Sequence, residues 1–441
     1  MIYIGSSSHV YIKKYLLLLL FNFIASVSSS GYSLSLEEAL ISSLESNYEI
    51  KIEESNLAAS KENVTQSISN YFPSISFQGS ISENEVAGIK SQTGSSSPGY
   101  DLEPSVASIT ITQNLFNGLA NYHSLIKAKT DEQSQKLLYE NKKQEIILEA
   151  LESYYNVLLA EKSFESFKNN FKAIEKRYNS AQAEFDVGLL SKTDVALAKT
   201  RMSAAKILLI NSDISFRQAK NLFMDIIGKK AQNLEFESIK STETYNIDEF
   251  IENVRRGNFA IKLASQDVKA KNASVGIARS NLLPKISLNA SRSEYYDYST
   301  TVDQYDSETI SANITWQIFN SGKSLSKTRQ AKKLKNSSYI NQSLITRDTL
   351  NKARHAHSQY SISGETVESA MIAVESAEFA YNGTVIEQEV GERTLLDVLD
   401  ARQQLLNSEI DLFKEQRNEQ IIEARLLYLM GELKLDKLFK N

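Results

Sequence analysis

The sequence predicts a mostly α-helical protein with a membrane β-barrel part, built from one helix–strand–strand–long helix–return helix unit written twice. Three observations carry this: ordered matches between the halves, paired strands of period 2, and helical stretches of sixty-odd residues nearly free of Pro and Gly.

The repeat is read directly from the residues. Pro73-Ser74-Ile75-Ser76-Phe77 recurs as Pro284-Lys285-Ile286-Ser287-Leu288, and Ile111-Thr112-Gln113-Asn114-Leu115-Phe116-Asn117 as Ile314-Thr315-Trp316-Gln317-Ile318-Phe319-Asn320. Val187-Gly188 with Asp194-Val195 and Ala198 returns as Val390-Gly391 with Asp397-Val398 and Ala401. Upstream, Glu38, Asn47, Ile50 and Lys51 match Glu249, Asn258, Ile261 and Lys262. The offset is 211 at the prolines and 203 from the Phe-Asn pair onward, so the difference falls in the loop between the matched strands. The first repeat covers 31–235 and the second 236–441.

Each repeat opens with a helix, 36–70 and 248–283, which stops before a proline because Pro disfavours helix at the residue ahead of it. Strands follow at about 74–85 and 105–116, then about 285–296 and 308–320. Ile75, Phe77 and Ile81 alternate with Ser74, Ser76, Gln78 and Ser80; Ile310, Ala312, Ile314, Trp316 and Ile318 alternate with Ser311, Asn313, Thr315 and Gln317. One apolar and one hydroxyl-and-amide face suit a barrel wall between lipid and water. The strands are joined by a Gly/Ser-rich tip at 86–104 and an acidic loop near 297–308, holding Asp303, Asp306 and Glu308. Tyr295, Tyr296 and Tyr298 stand where an aromatic girdle would lie.

The long helices run over 119–184 and 323–388. At about 1.5 Å per residue each is a rod on the order of 90–100 Å. Ile147, Leu151, Tyr154 and Leu158 form a single dry stripe among Glu, Lys, Gln and Ser. Each rod ends at Val-Gly, and return helices follow over 192–227 and 394–430. Four strands do not close a barrel, and such rods bury little alone, so oligomerisation is expected.

Composition narrows the function. Lys+Arg 49 against Asp+Glu 54 gives a formal charge of -5, which disfavours a nucleic-acid partner. The absence of cysteine excludes disulfides, thiol catalysis and a lipid anchor on Cys. His355 and His357 are two apart on a helix and face different ways, so they do not share a metal. No phosphate-binding loop, zincin motif or nucleophile elbow appears, so no enzyme activity, cofactor or metal is expected. At the N-terminus, Lys13 and Lys14 precede a short apolar run from Tyr15 to Ala25 and small residues to Ser30, so 1–30 reads as a secretory signal.

These features together resemble the TolC family of outer-membrane channel proteins, over about residues 31–435. The sharpest motif is Val390-Gly391-Glu392-Arg393-Thr394-Leu395-Leu396-Asp397-Val398-Leu399-Asp400-Ala401, similar to the family's periplasmic-tip signature. Phe185-Asp186-Val187-Gly188-Leu189-Leu190-Ser191-Lys192-Thr193-Asp194-Val195 resembles its partner in the first half. The resemblance implies a homotrimer whose 12-stranded β-barrel in the outer membrane of a Gram-negative bacterium continues as a periplasmic α-helical barrel. It implies an exit duct for a tripartite efflux pump or type I secretion system, joined by a periplasmic adaptor to an inner-membrane pump of RND, ABC or MFS type.

At the tip, Ser191 and Thr394 each precede an acid by three residues, a capping-box pattern that accounts for Asp194 and Asp397 as helix starts. Asp400, matched by Leu197, and Arg393, matched by Leu190, have no such account. Asp397 and Asp400 share one helix face. By resemblance they form stacked carboxylate rings closing the duct, and Arg393 reaches Thr193 and Asp194 of a neighbouring helix pair. Gln388 stands where the family often has a tyrosine in the same latch; Gly188 and Gly391 make the tip turns. The competing reading is a secreted coiled-coil scaffold or adhesin with a soluble β-domain.

Overall fold

The computed structural model describes residues 33–90, 92–94, 96–239 and 246–439. The expected signal at 1–30 lies outside them. The first half comprises α1 (Leu36–Ser46), α2 (Tyr48–Ser69), β1 (Ser74–Ile81), β2 (Ser105–Asn117), α3 (Ala120–Asp186) and α4 (Lys192–Ile227). The second comprises α5 (Ile247–Gly257), α6 (Phe259–Ser280), β3 (Lys285–Ser299), β4 (Val302–Thr315), α7 (Lys323–Glu389) and α8 (Leu395–Met430), with a short α9 (Leu435–Leu438) behind it.

The first helix of each half is two helices, not one. Asn47 and Asn258 adopt extended backbone, end one helix and cap the next. The Asn47 side chain accepts from the Glu49 N–H at 2.7 Å, and Asn258 accepts from the Ala260 N–H at 2.9 Å. Asn is a strong N-cap because its short side chain satisfies otherwise orphaned N–H groups. The rods leave the sheet through two consecutive left-handed residues, Gly118-Leu119 and Ser321-Gly322.

The four main strands form one antiparallel sheet in the order β1-β2-β3-β4, with β2–β3 joining the halves. Residues facing each other across strands share a face. Phe77 pairs with Ile109 and Ile75 with Ile111; Ile111 pairs with Ala290, which pairs with Ile310. Ser76, Thr110, Ser291 and Thr309 run across the other face. Phe77 is 72% exposed and Ile310 80% exposed, so the apolar face is open, and among the described residues β1 and β4 are the unpaired edges of the sheet.

Strand limits differ from the sequence reading at both hairpin ends. Beyond β1 and β2 the chain at 86–104 continues as short paired segments, Asn84–Val86 with Tyr100–Leu102 and Ile89–Lys90 with Ser96–Ser97. The acidic stretch near 297–308 is largely β4. Two of its carboxylates, Asp306 and Glu308, lie on the apolar face beside Arg292 of β3, which pairs with both at 3.5 Å and with Glu294 at 3.3 Å. β4 stops at Thr315 instead of 320, where the Trp316 indole N–H donates to the Leu282 carbonyl at 3.1 Å and turns the chain toward α7. The aromatic cluster also lies elsewhere: Tyr295 and Tyr305 pair on the hydroxyl face, and only Tyr296 belongs to the apolar one. Asp297 has φ 46° and the register shifts between Tyr296 and Ser299, which brings Tyr298 onto Tyr305 at 4.8 Å between ring centroids.

The main core sits at mid-length of the rods, where α1, α3, α4, α5, α7 and α8 converge on Tyr154, Tyr155, Phe223, Phe250 and Leu426. The segment joining the halves is strapped across it. Tyr154 and Tyr155 donate to the Glu235 and Glu237 carbonyls at 2.9 and 2.6 Å, and the Ile239 N–H donates to Gln420 at 2.7 Å. Burial pushes the Tyr154 phenol up to about 12, so it stays a donor.

Candidate functional site at the hairpin tips

Far from that core, α3–α4 and α7–α8 end as two helical hairpins. Gly188 (φ 81°) and Gly391 (φ 83°) adopt the left-handed conformation that ends each rod. The following N–H groups, of Leu189 and Glu392, reach back to the carbonyls of Glu184 and Glu387 at 2.8 and 2.9 Å. The return helices then start on reciprocal capping boxes, Ser191 with Asp194 and Thr394 with Asp397. The Asp397 carboxylate accepts from the Thr394 N–H at 2.9 Å and the Thr394 hydroxyl at 2.7 Å. Those bonds, with the nearby Arg393 charge, hold its carboxyl below the usual aspartate range.

The two hairpins of one chain touch near their ends. Ile174, Ala205 and Leu399 are buried together, with Phe171, Met202 and Leu395 packed around them. Beside this cluster, Asp194, Gln388, Gly391 and Arg393 line one crevice of about 430 Å³. Within the chain, Arg393 donates to Glu387 at 3.0 Å, and Thr193 is exposed on the first turn of α4. Gln388 accepts from Arg177 of α3 at 3.4 Å. Asp400 accepts from Arg201 of α4 at 2.8 Å. Sequence reasoning placed Asp194, Gln388 and Arg393 in one neighbourhood and missed Arg177, Glu387 and Arg201. Asymmetry marks two of these: Arg177 and Arg201 correspond to Ala380 and Gln404 in the other half. Among the described residues there is no cluster suited to a metal ion.

A duplicated strand-pair and helical-hairpin unit, with a four-stranded sheet at one end of long rods and two helical hairpin tips at the other, is the architecture of outer-membrane channel proteins. The family model described as outer membrane efflux protein matches residues 40–229 and 250–432, and the chain belongs to that family. It lies in the outer membrane and extends into the periplasm. Among its relatives, outer membrane efflux protein BepC of Brucella suis is 24% identical, over 93% of this chain and 88% of that protein. Outer membrane protein TolC of Vibrio cholerae is 24% identical over 75% of each. Alkaline protease secretion protein AprF of Pseudomonas aeruginosa is 24% identical over 67% of this chain and 63% of that one. In fold, the chain is similar to the Campylobacter jejuni CmeC outer membrane channel, with a TM-score of 0.80 at 14% identity, covering 90% of this chain and 86% of CmeC.

Proposed function

We propose that this chain, after removal of residues 1–30 as a signal, is the passive exit duct of a tripartite efflux pump or type I secretion system. Three copies close a 12-stranded barrel and continue it as a helical barrel. An inner-membrane pump drives cargo through a periplasmic adaptor into the duct. The observation that carries the reading is the four-stranded sheet with apolar residues on one face and both edges unpaired. Such edges demand partners, and apolar side chains outside a water-filled barrel demand lipid.

The closed state follows from the tips. Asp397 and Asp400 stand one helical turn apart near the start of α8 and, repeated by threefold symmetry, form two carboxylate rings at the narrow end. Arg393, Thr193, Asp194 and Gln388 sit where one hairpin meets the next, and Gly188 and Gly391 let each hairpin turn tightly. The family and the relative named for protease secretion support both efflux and secretion as the setting.

The test is fractionation followed by single-channel recording. The expected result is a heat-modifiable trimer in the outer-membrane fraction, with conductance raised and cation preference reduced in Asp397→Asn/Asp400→Asn. Recovery as a soluble periplasmic protein would sink the duct in favour of a secreted scaffold.

A further inference from the structure

Asp400 is not a free carboxylate. Its Oδ1 accepts from Arg201 Nη2 at 2.8 Å, across the gap from α8 to α4. In the duplicated frame neither residue has a like counterpart: Arg201 matches Gln404, and Asp400 matches Leu197. The pair therefore has no copy at the matched positions, Leu197 and Gln404, and joins the two hairpins at this one level.

The pair does little to dock the helices. Met202 and Leu399, its sequence neighbours, belong to the apolar cluster that already joins the hairpins here. The Arg201 and Asp400 side chains are 45% and 55% exposed, and an ion pair so exposed adds little to stability. What it changes is the field. A carboxylate in contact with a guanidinium acts as a dipole, whose potential falls off faster with distance than that of a single charge. Asp397 differs: its hydrogen-bond partners are the neutral N–H and hydroxyl of Thr394, and the Arg393 charge near it is itself paired with Glu387 at 3.0 Å.

We propose that Arg201 charge-compensates Asp400, so that ion selectivity at the closed tip is set by Asp397 while Asp400 is held electrically silent. The inference rests on the gate reading above and adds a specificity-determining cation from the other hairpin. Compensation halves the net negative charge of the two rings. Any movement that separates α4 from α8 breaks the pair and uncovers the Asp400 charge.

The test is the reversal potential in a KCl gradient across planar bilayers, using full-length trimers whose assembly is checked by heat-modifiable mobility. Arg201→Gln is expected to raise the cation-to-anion permeability ratio severalfold. Asp400→Asn alone, which leaves Arg201 uncompensated, is expected to lower it. Arg201→Gln/Asp400→Asn is expected to restore the wild-type ratio, as is the charge swap Arg201→Asp/Asp400→Arg. If Arg201→Gln matches wild type while Asp397→Asn/Asp400→Asn loses cation preference, compensation is wrong and the gate stands. If that double variant also keeps wild-type selectivity, the gate reading fails and this inference with it.

Discussion

Tyr295 stacks on Tyr305 across the second hairpin, with ring centroids 4.5 Å apart and planes 6° apart. Tyr298 closes the group edge-on because the left-handed Asp297 shifts the register by which it would otherwise face away. Tyr305→Ala is expected to cost about 1 kcal/mol beyond lost area, the usual worth of an aromatic pair. Urea unfolding followed by the fluorescence of Trp316, the only tryptophan, checks it. Tyr296→Ala, on the opposite face, leaves the stack intact and serves as the control.

The two faces of β4 should respond differently to the same charge. Ile310→Arg places a cation on the apolar face and is expected to cost about 2–4 kcal/mol if its depth is near the bilayer midplane, less toward the interface. Ser311→Arg, one residue along on the hydroxyl face, is expected to leave assembly unchanged. The yield of heat-modifiable trimer from outer membranes distinguishes them.

Asp397 gives the tip an acid sensitivity whose sign is fixed. Its folded carboxyl is held below the ordinary aspartate range by its bonds to Thr394, so its contribution to helix initiation is complete above that range. The contribution is lost as pH falls through the lower folded value. Amide protection factors in the first turn of α8, corrected for the intrinsic pH dependence of exchange, should therefore fall only below about pH 4, the ordinary aspartate range. Ser191→Ala, in the matching box, is expected to cost α4 about 1 kcal/mol of local stability at neutral pH.

Gly276 of α6 packs against His123 of α3 so closely that a Cβ would overlap the imidazole. Gly276→Ala is expected to destabilise by about 1–3 kcal/mol through overpacking, and His123→Ala in the same chain should relieve most of it. A double-mutant cycle by thermal unfolding measures the coupling.

The duplicated order of elements and the long rods were legible because Pro, Gly and period-2 alternation are local signals. The breaks at Asn47 and Asn258 were not, since an Asn within a helical stretch reads equally as interior or cap until its partners are seen. Asp303, Asp306 and Glu308 looked like a solvated loop because an acidic run is usually one; the backbone ladder to β3 makes most of it strand, and there Arg292 offsets the charge of Asp306 and Glu308. At the tip, the capping boxes were readable from spacing. Arg201 with Asp400 depended on how two hairpins dock, which no spacing within either hairpin encodes.

The two rods are each 67 residues long and the two return helices each 36, although their sequences have diverged almost everywhere. The side chains differ while the lengths agree, so the two hairpins end at matched distances from the sheet. One added residue in a single rod would lift its tip about 1.5 Å and rotate everything beyond it by about 100°. The halves thus act as matched rulers, calibrated to the gap they must reach across. Only coordinated changes of about two turns in both would retune that reach, so an engineered shorter duct should be sought by paired heptad deletions, and never by trimming one half.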